Sequence, residues 1–198
     1  FEGYGELLNK KITKENYPNI VETSCDRKCG SCSGMYTANT MALILEVMGI
    51  TLPNSASNPS LSMEKLNECN EAYDIIYNLL EKDIKPKDII TMDALINGIK
   101  IGYLMGGSTN LVIHLLAIAN ETNIKLNIED FIKYQDLPII GNMKPIGENV
   151  MYDLHLNGGS GGLIKYLIDK KYINGDILTI TGKKLYENVK NSYFNEYN

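Results

Sequence analysis

Tryptophan is absent, histidine occurs only twice, and no apolar run approaches the ~20 residues needed to cross a bilayer. The first and last of these absences set limits: the lack of Trp, with much Ile, Asn, Lys and Tyr, reflects genome composition, and no membrane partner is expected. No basic stripe interleaved with aromatics exists. Nineteen Lys and Arg are scattered among 24 Asp and Glu, a net charge of -5, so no nucleic-acid partner is expected either. Four cysteines in 198 residues are too few for a secreted disulfide scaffold. No secretory signal, internal repeat or low-complexity linker is visible. The sequence opens on Phe1 rather than Met, and the expectation is a piece of a longer protein whose targeting segment lies outside it.

What is present is the ordinary apolar and charged content of a globular domain, with enough length for one core. After a cysteine-rich loop, Met35, Met41, Ile44, Leu45 and Met48 fall at helical spacing, and Gly49 supplies a stop. Met63, Leu66, Cys69, Tyr73, Ile76 and Leu80 mark a longer amphipathic helix, with Cys69 read as a small core residue. Thr91 can cap a helix carrying Leu95, Ile96 and Ile99. Leu111 to Ala119 is apolar on nearly every side, which predicts a central, buried helix. "LPII" (137–140) and "DILTITG" (176–182) read as strands, Asn174-Gly175 as a turn, and the glycines at 158–162 as a loop feeding a helix. The expected class is α/β, helices around short strands.

Chemistry could sit in three places. "CDRKCGSC" puts Cys25, Cys29 and Cys32 within eight positions. A thiol close to a helix N-terminus gains from the dipole and the free N–H groups, and Cys32, just ahead of a helix starting near Tyr36, is the best placed. Spacing alone leaves a zinc ligand, an iron–sulfur ligand and inert thiols all open, since no second C-x-x-C follows. "GGSTN" (106–110) precedes the apolar helix, where its glycines permit close approach and its polar side chains can cap. His114 lies within that helix and reads as a satisfied core histidine rather than a ligand. The third place is Asp153 and His155, two apart, for which surface solvation is the reading preferred over an acid–base pair.

"CGSCSGMYTANTMALILEVMGITLP", "MGGSTNLVIHLLAIA", "MKPIGENVMYDLHLNGG" and "GDILTITGKKLYEN" together resemble four successive blocks of the dihydroxy-acid dehydratase family, in its order and approximate spacing. The wider family includes phosphogluconate and sugar-acid dehydratases. The likeness runs from about Gly5 to about Val189. It implies the later part of an N-terminal α/β domain, with 1–190 a partial iron–sulfur dehydratase domain and 191–198 a lead-in to a C-terminal domain.

The resemblance also implies a reaction. Such an enzyme removes water from a small-molecule 2,3-dihydroxy-carboxylate to give a 2-keto acid in branched-chain amino-acid synthesis. Three cysteines hold an iron–sulfur cluster, two-iron in preference to four-iron, whose open iron acts as a Lewis acid on the 3-hydroxyl. Mg²⁺ holds the carboxylate end, and a serine alkoxide takes the C2 proton. The family's third cluster cysteine stands immediately before "SGMYTANTM", which is Cys32 here. The other two, and the magnesium and serine residues, are expected outside Phe1–Asn198. No catalytic residue and no magnesium ligand is therefore expected within this stretch, which alone should be inactive. The full protein is expected to be a homodimer of the cytoplasm, or of an organelle in a eukaryote.

Two departures bear on the neighbouring thiols. Cys25 lies seven positions before Cys32 where the family has six, and Cys29 has a counterpart only in some branches, so both are expected to be bystanders. The family's "KPSG" reads "KPIG" at 144–147. The rivals are a sugar-acid sibling, a zinc module using Cys25, Cys29 and Cys32, and a degenerate structural remnant.

Overall fold

A computed structural model describes residues 2–23 and 32–195. Cys25 and Cys29 lie outside the described residues, so their bystander role is not addressed by the fold. Among those residues the order is α1 (Glu2–Leu8), α2 (Tyr17–Thr23), α3 (Thr37–Val47), α4 (Met63–Glu81), α5 (Pro86–Ile89), α6 (Met92–Leu104), α7 (Leu111–Glu121), α8 (Ile128–Ile132), α9 (Met151–Leu156), α10 (Gly159–Asp169) and α11 (Leu185–Val189).

The core forms where α3 crosses α6. Ile44, Val47 and Met48 meet Leu95, Ile99 and Ile101, all fully buried. The absence of a Cβ at Gly98 permits the approach: one built there would stand 3.0 Å from Ile44 Cγ2 and 3.2 Å from Met48 Sδ. Helix α6 starts at Thr91, whose hydroxyl accepts the Ala94 N–H at 3.2 Å, as its position suggested. Helix α3 stops at Gly49 with φ +81°. Helix α10 opens on two left-handed glycines, Gly158 (φ +108°) at its N-cap and Gly159 (φ +68°) as its first residue, and buries Leu163, Ile164 and Leu167. Asn174 turns the chain by accepting the Asp176 N–H on its own side chain at 2.8 Å.

The domain is of the α/β type with minimal strand content, and neither segment read as a strand pairs along its length. The extended chain serves helix ends instead. Ile140 and Gly141 N–H both donate to the Leu104 carbonyl (2.8 and 3.0 Å) at the end of α6, and Ile180 N–H donates to the Gly49 carbonyl (2.8 Å) at the end of α3. Among the described residues the isolated bridges are Met143–Asn149 and Leu178–Lys184.

Three expectations need correction. Helix α7 is not central: Leu111, Leu115 and Ala119 are buried, while Ile113 lies out in solvent. His114, on the same outer side, is exposed rather than a core histidine. Helix α4 forms as predicted but buries none of its residues, so Cys69 is exposed and not a core residue. In each case helical period predicts the helix, but which face is buried depends on what packs opposite.

Candidate functional site

Cys32 stands ahead of α3, and the turn that carries it is held from three directions. Asn39 Nδ2, in the first turns of α3, donates to the Cys32 carbonyl at 3.2 Å and to the Gly34 carbonyl at 2.6 Å. Met35 N–H donates to the Lys144 carbonyl (2.6 Å), and Met151 N–H donates to the Ser33 carbonyl (2.7 Å). The "KPIG" loop and the start of α9, distant in sequence, thus hold the strip from Ser33 to Met35.

The "GGSTN" loop joins the same corner. Its Ser108 hydroxyl lies 3.0 Å from the Thr37 hydroxyl, and Asn110 Nδ2 donates to Thr37 at 2.8 Å. Ser108 N–H donates to the Thr40 hydroxyl at 3.0 Å. Asn110 occupies the N-cap of α7 yet makes no side-chain cap bond there: its backbone is already helical (φ -61°, ψ -17°) rather than extended as a capping residue's is. A Cβ on Gly107 would come within 2.7 Å of Thr40 Cγ2, so the close approach needs glycine.

Asp153 and His155 serve separate purposes. The Asp153 carboxylate accepts the Val150 N–H at 2.7 Å and caps α9. His155 is half-buried, its ring stacked 6.0 Å from that of Tyr152 at 26°.

A cleft of about 380 Å³ opens beside the half-buried Cys32, lined by Asn39, Ser57, Asn58, Lys65 and Tyr152 among others. The size is that of a small-ligand site. Lys65 brings a cation to its edge, held by the Ser55 carbonyl (2.7 Å) and the Glu68 carboxylate (2.9 Å). A larger cavity of about 610 Å³ lies elsewhere, floored by Met105, Leu163 and Phe194. Its one lining carboxylate, Asp153, is already committed to the helix cap, and the phenol of Tyr166 is the other ionisable group there, so the smaller cleft is the better chemical candidate.

Under this corner lies a group that patterning did not single out. Glu46 is 2% exposed. Its carboxylate accepts the Asn54 N–H (2.8 Å), the Ala56 N–H (2.9 Å) and the Ser160 hydroxyl (2.8 Å). Burial pushes its pKa up to about 7, against the pull of those three donors. It ties loop 54–57, which lines the cleft, to the start of α10. The available signal was a lone acid inside "ALILEVM". Asn39 and Lys65 carried no signal, since only the folded chain brings them to Cys32.

Among the described residues no three His, Cys, Asp or Glu side chains cluster closely enough to hold a metal ion. Cys32 fits one corner of a shared site: a thiol at the edge of an open cleft, at the head of an 11-residue helix, on a pinned turn.

Comparison with known proteins bears on the same blocks. Residues 1–188 match the family profile described as dihydroxy-acid/6-phosphogluconate dehydratase N-terminal. The chain is 46% identical over 96% of its length to a dihydroxy-acid dehydratase of Flavobacterium psychrophilum, covering 34% of that protein. It is 45% identical to one of Lactococcus lactis subsp. cremoris, over 96% of the chain and 33% of that protein. It is 44% identical to a mitochondrial one of Saccharomyces cerevisiae, over 96% of the chain and 32% of that protein. The chain thus spans about a third of the length of the curated relatives it matches. With a profile match over nearly all its residues and its motif blocks meeting at one corner, the chain belongs to the dihydroxy-acid/6-phosphogluconate dehydratase family, in the N-terminal domain.

Proposed function

We propose that Cys32 is one of three cysteine ligands of an iron–sulfur cluster in a hydro-lyase that converts 2,3-dihydroxy-carboxylates to 2-keto acids in branched-chain amino-acid synthesis. The substrates are 2,3-dihydroxy-isovalerate and 2,3-dihydroxy-3-methylvalerate. The observation that carries the reading is the place of Cys32: of the two cysteines in the described residues, it alone stands at the corner where three motif blocks meet, on an open cleft. The names printed for the relatives above support the substrate class.

When bound, the cluster supplies a Lewis acid for the departing hydroxyl, and Mg²⁺ neutralises the carboxylate. This chain's residues position and enclose. Asn39 and the Ser33 and Met35 backbone contacts hold the thiol turn rigid. Thr37, Ser108 and Asn110 form a hydroxyl and amide network at the head of α3, and Lys65 places positive charge at the cleft edge. The remaining two cluster ligands, the magnesium ligands and the base belong to polypeptide beyond this third. Residues 1–190 are read as part of the cluster domain and 191–198 as the lead-in to the next. The two-iron form is preferred, the whole enzyme is read as a homodimer, and its site of action as the cytoplasm, or an organelle in a eukaryote. No helix among the described residues is long and apolar enough to cross a membrane.

The test uses the full-length enzyme. Cys32→Ala should abolish the visible absorbance of the cluster and its iron content, whereas Cys29→Ala should retain both; a Cys32→Ala protein that keeps its cluster sinks the assignment. Turnover of dihydroxy-isovalerate against 6-phosphogluconate then separates the branched-chain substrate from that of the sugar-acid sibling.

A further inference from the structure

Three side chains join the interior of the domain to the cleft beside Cys32. Glu46, in the last turn of α3, accepts the Ser160 hydroxyl at 2.8 Å. The Ser160 hydroxyl also lies 3.1 Å from that of Ser57, and Ser160 N–H donates to the same Ser57 oxygen at 2.8 Å. Ser57 lines the cleft. Ser160 is fully buried and Ser57 nearly so, which shields the chain of hydrogen bonds from bulk water. Glycines at the head of α10 permit the approach: a Cβ on Gly159 would stand 2.9 Å from Ser57 Oγ, and one on Gly161 2.6 Å from Asn54 Oδ1.

Two hydroxyls in series can serve a carboxyl in either protonation state without moving the backbone. When Glu46 is charged, Ser160 donates to it, and Ser57 donates to Ser160 or to the Asn54 carbonyl, 3.3 Å away. When Glu46 is neutral, its proton goes to the Ser160 oxygen and the Ser160 proton turns to Ser57. The Ser57 oxygen then accepts twice from Ser160, and its own proton is left for the Asn54 carbonyl or for an acceptor in the cleft. Burial places the exchange near neutrality, with the Glu46 pKa raised to about 7. Thr51, Ile164, Thr179 and Asn188 pack beside Glu46 and carry no ionisable group. The charge that acts on it is Glu68 of α4, which favours the neutral form and is itself paired with Lys65 at 2.9 Å.

We infer that Glu46 is a positioning residue for the cleft, acting through Ser160 so that Ser57 is a hydrogen-bond donor to a bound carboxylate or hydroxyl when Glu46 is neutral. The inference rests on the proposed function for its ligand, an anion rich in acceptors. The experiment uses the full-length enzyme with its cluster. Its first readout is the infrared carbonyl band of a protonated carboxyl, taken as the difference from Glu46→Gln at a pH where ordinary carboxyls are ionised. The band should titrate near pH 7. Ser57→Ala should lower the midpoint by at least about 0.5 pH, because the neutral form loses the acceptor for the Ser160 proton. An unmoved midpoint overturns the chain. The second readout is kinetic. KM for dihydroxy-isovalerate should rise at least about threefold between about pH 6 and pH 8, with kcat changing less, as Ser57 ceases to donate. Glu46→Gln, whose amide donates to Ser160 at every pH, should hold the low-pH KM throughout. Ser160→Ala cuts the chain while keeping the Asn54 and Ala56 contacts to Glu46, and it should lose the rise, as should Ser57→Ala. A rise that survives in both serine variants, or none in the unaltered enzyme, overturns the positioning role. The band is read without substrate, so an absence of turnover fails the proposed reaction while the midpoint still decides the chain.

Discussion

Cys32 and Cys69 carry the same thiol in opposite circumstances. The first is half-buried at a corner where backbone bonds from residues 144 and 151 converge; the second sits on an open helix face. Glu46 shows the same dependence on surroundings in another chemistry. Its folded pKa, about 7, lies above the ordinary value of 4.5. The native state therefore keeps a proton that the unfolded chain has released by about pH 4.5. That contribution to stability is whole below pH 4.5, declines as pH rises towards 7, and is lost above it. The loss is roughly 3 kcal/mol in total. Melting curves from pH 4.5 to 8 should show Tm falling across this window. Glu46→Gln should flatten that slope, while costing about 1–3 kcal/mol because its amide turns a donor towards a backbone N–H. A Gln variant with the parent's slope would assign the pH dependence elsewhere.

Among the elements, α3 depends most on how it ends. Gly49 adopts φ +81°, and a Cβ there would stand 2.8 Å from the Leu178 carbonyl oxygen and 2.9 Å from Thr179 Cγ2. The same residue's carbonyl accepts the Ile180 N–H. Gly49→Ala should therefore cost about 1–3 kcal/mol in urea denaturation, from left-handed strain and a backbone clash. Gly5→Ala is the control: within α1, a Cβ on Gly5 meets nothing within 4 Å. Helix propensity there should leave stability unchanged or raise it by up to about 1 kcal/mol. Equal losses at both positions would refute the account of the α3 stop. The segments read as strands fit the same picture: Ile140 and Gly141 donate to the carbonyl of Leu104, the last residue of α6, and Ile180 to the carbonyl of Gly49, the residue that stops α3.

For the whole molecule, the chain spans about a third of the length of the curated relatives it matches, and on the proposed reading it supplies one cluster ligand, Cys32, to a site completed by other polypeptide. On the proposed reading, residues 1–198 alone should show no dehydration of dihydroxy-isovalerate and no stable cluster, whereas the full-length polypeptide should show both. Iron analysis and keto-acid formation measure this, and turnover by residues 1–198 alone would refute the composite site. Local order was legible in the sequence wherever neighbouring residues impose it. The caps at Thr91 and Gly49, the glycines before α10, the turn at Asn174 and the period of α4 and α7 follow from backbone sterics and side-chain spacing within a few positions. The four motif blocks likewise identified the family and singled out Cys32. Which face of a helix is buried, which extended segment finds a partner, and which distant side chains meet were decided only by tertiary structure. Burial of Glu46, exposure of Cys69 and His114, the meeting of Asn39 and Lys65 beside Cys32, and that of Ser108 with Thr37 depend on contacts between residues far apart in the chain, and spacing along one element carries no information about what packs against it.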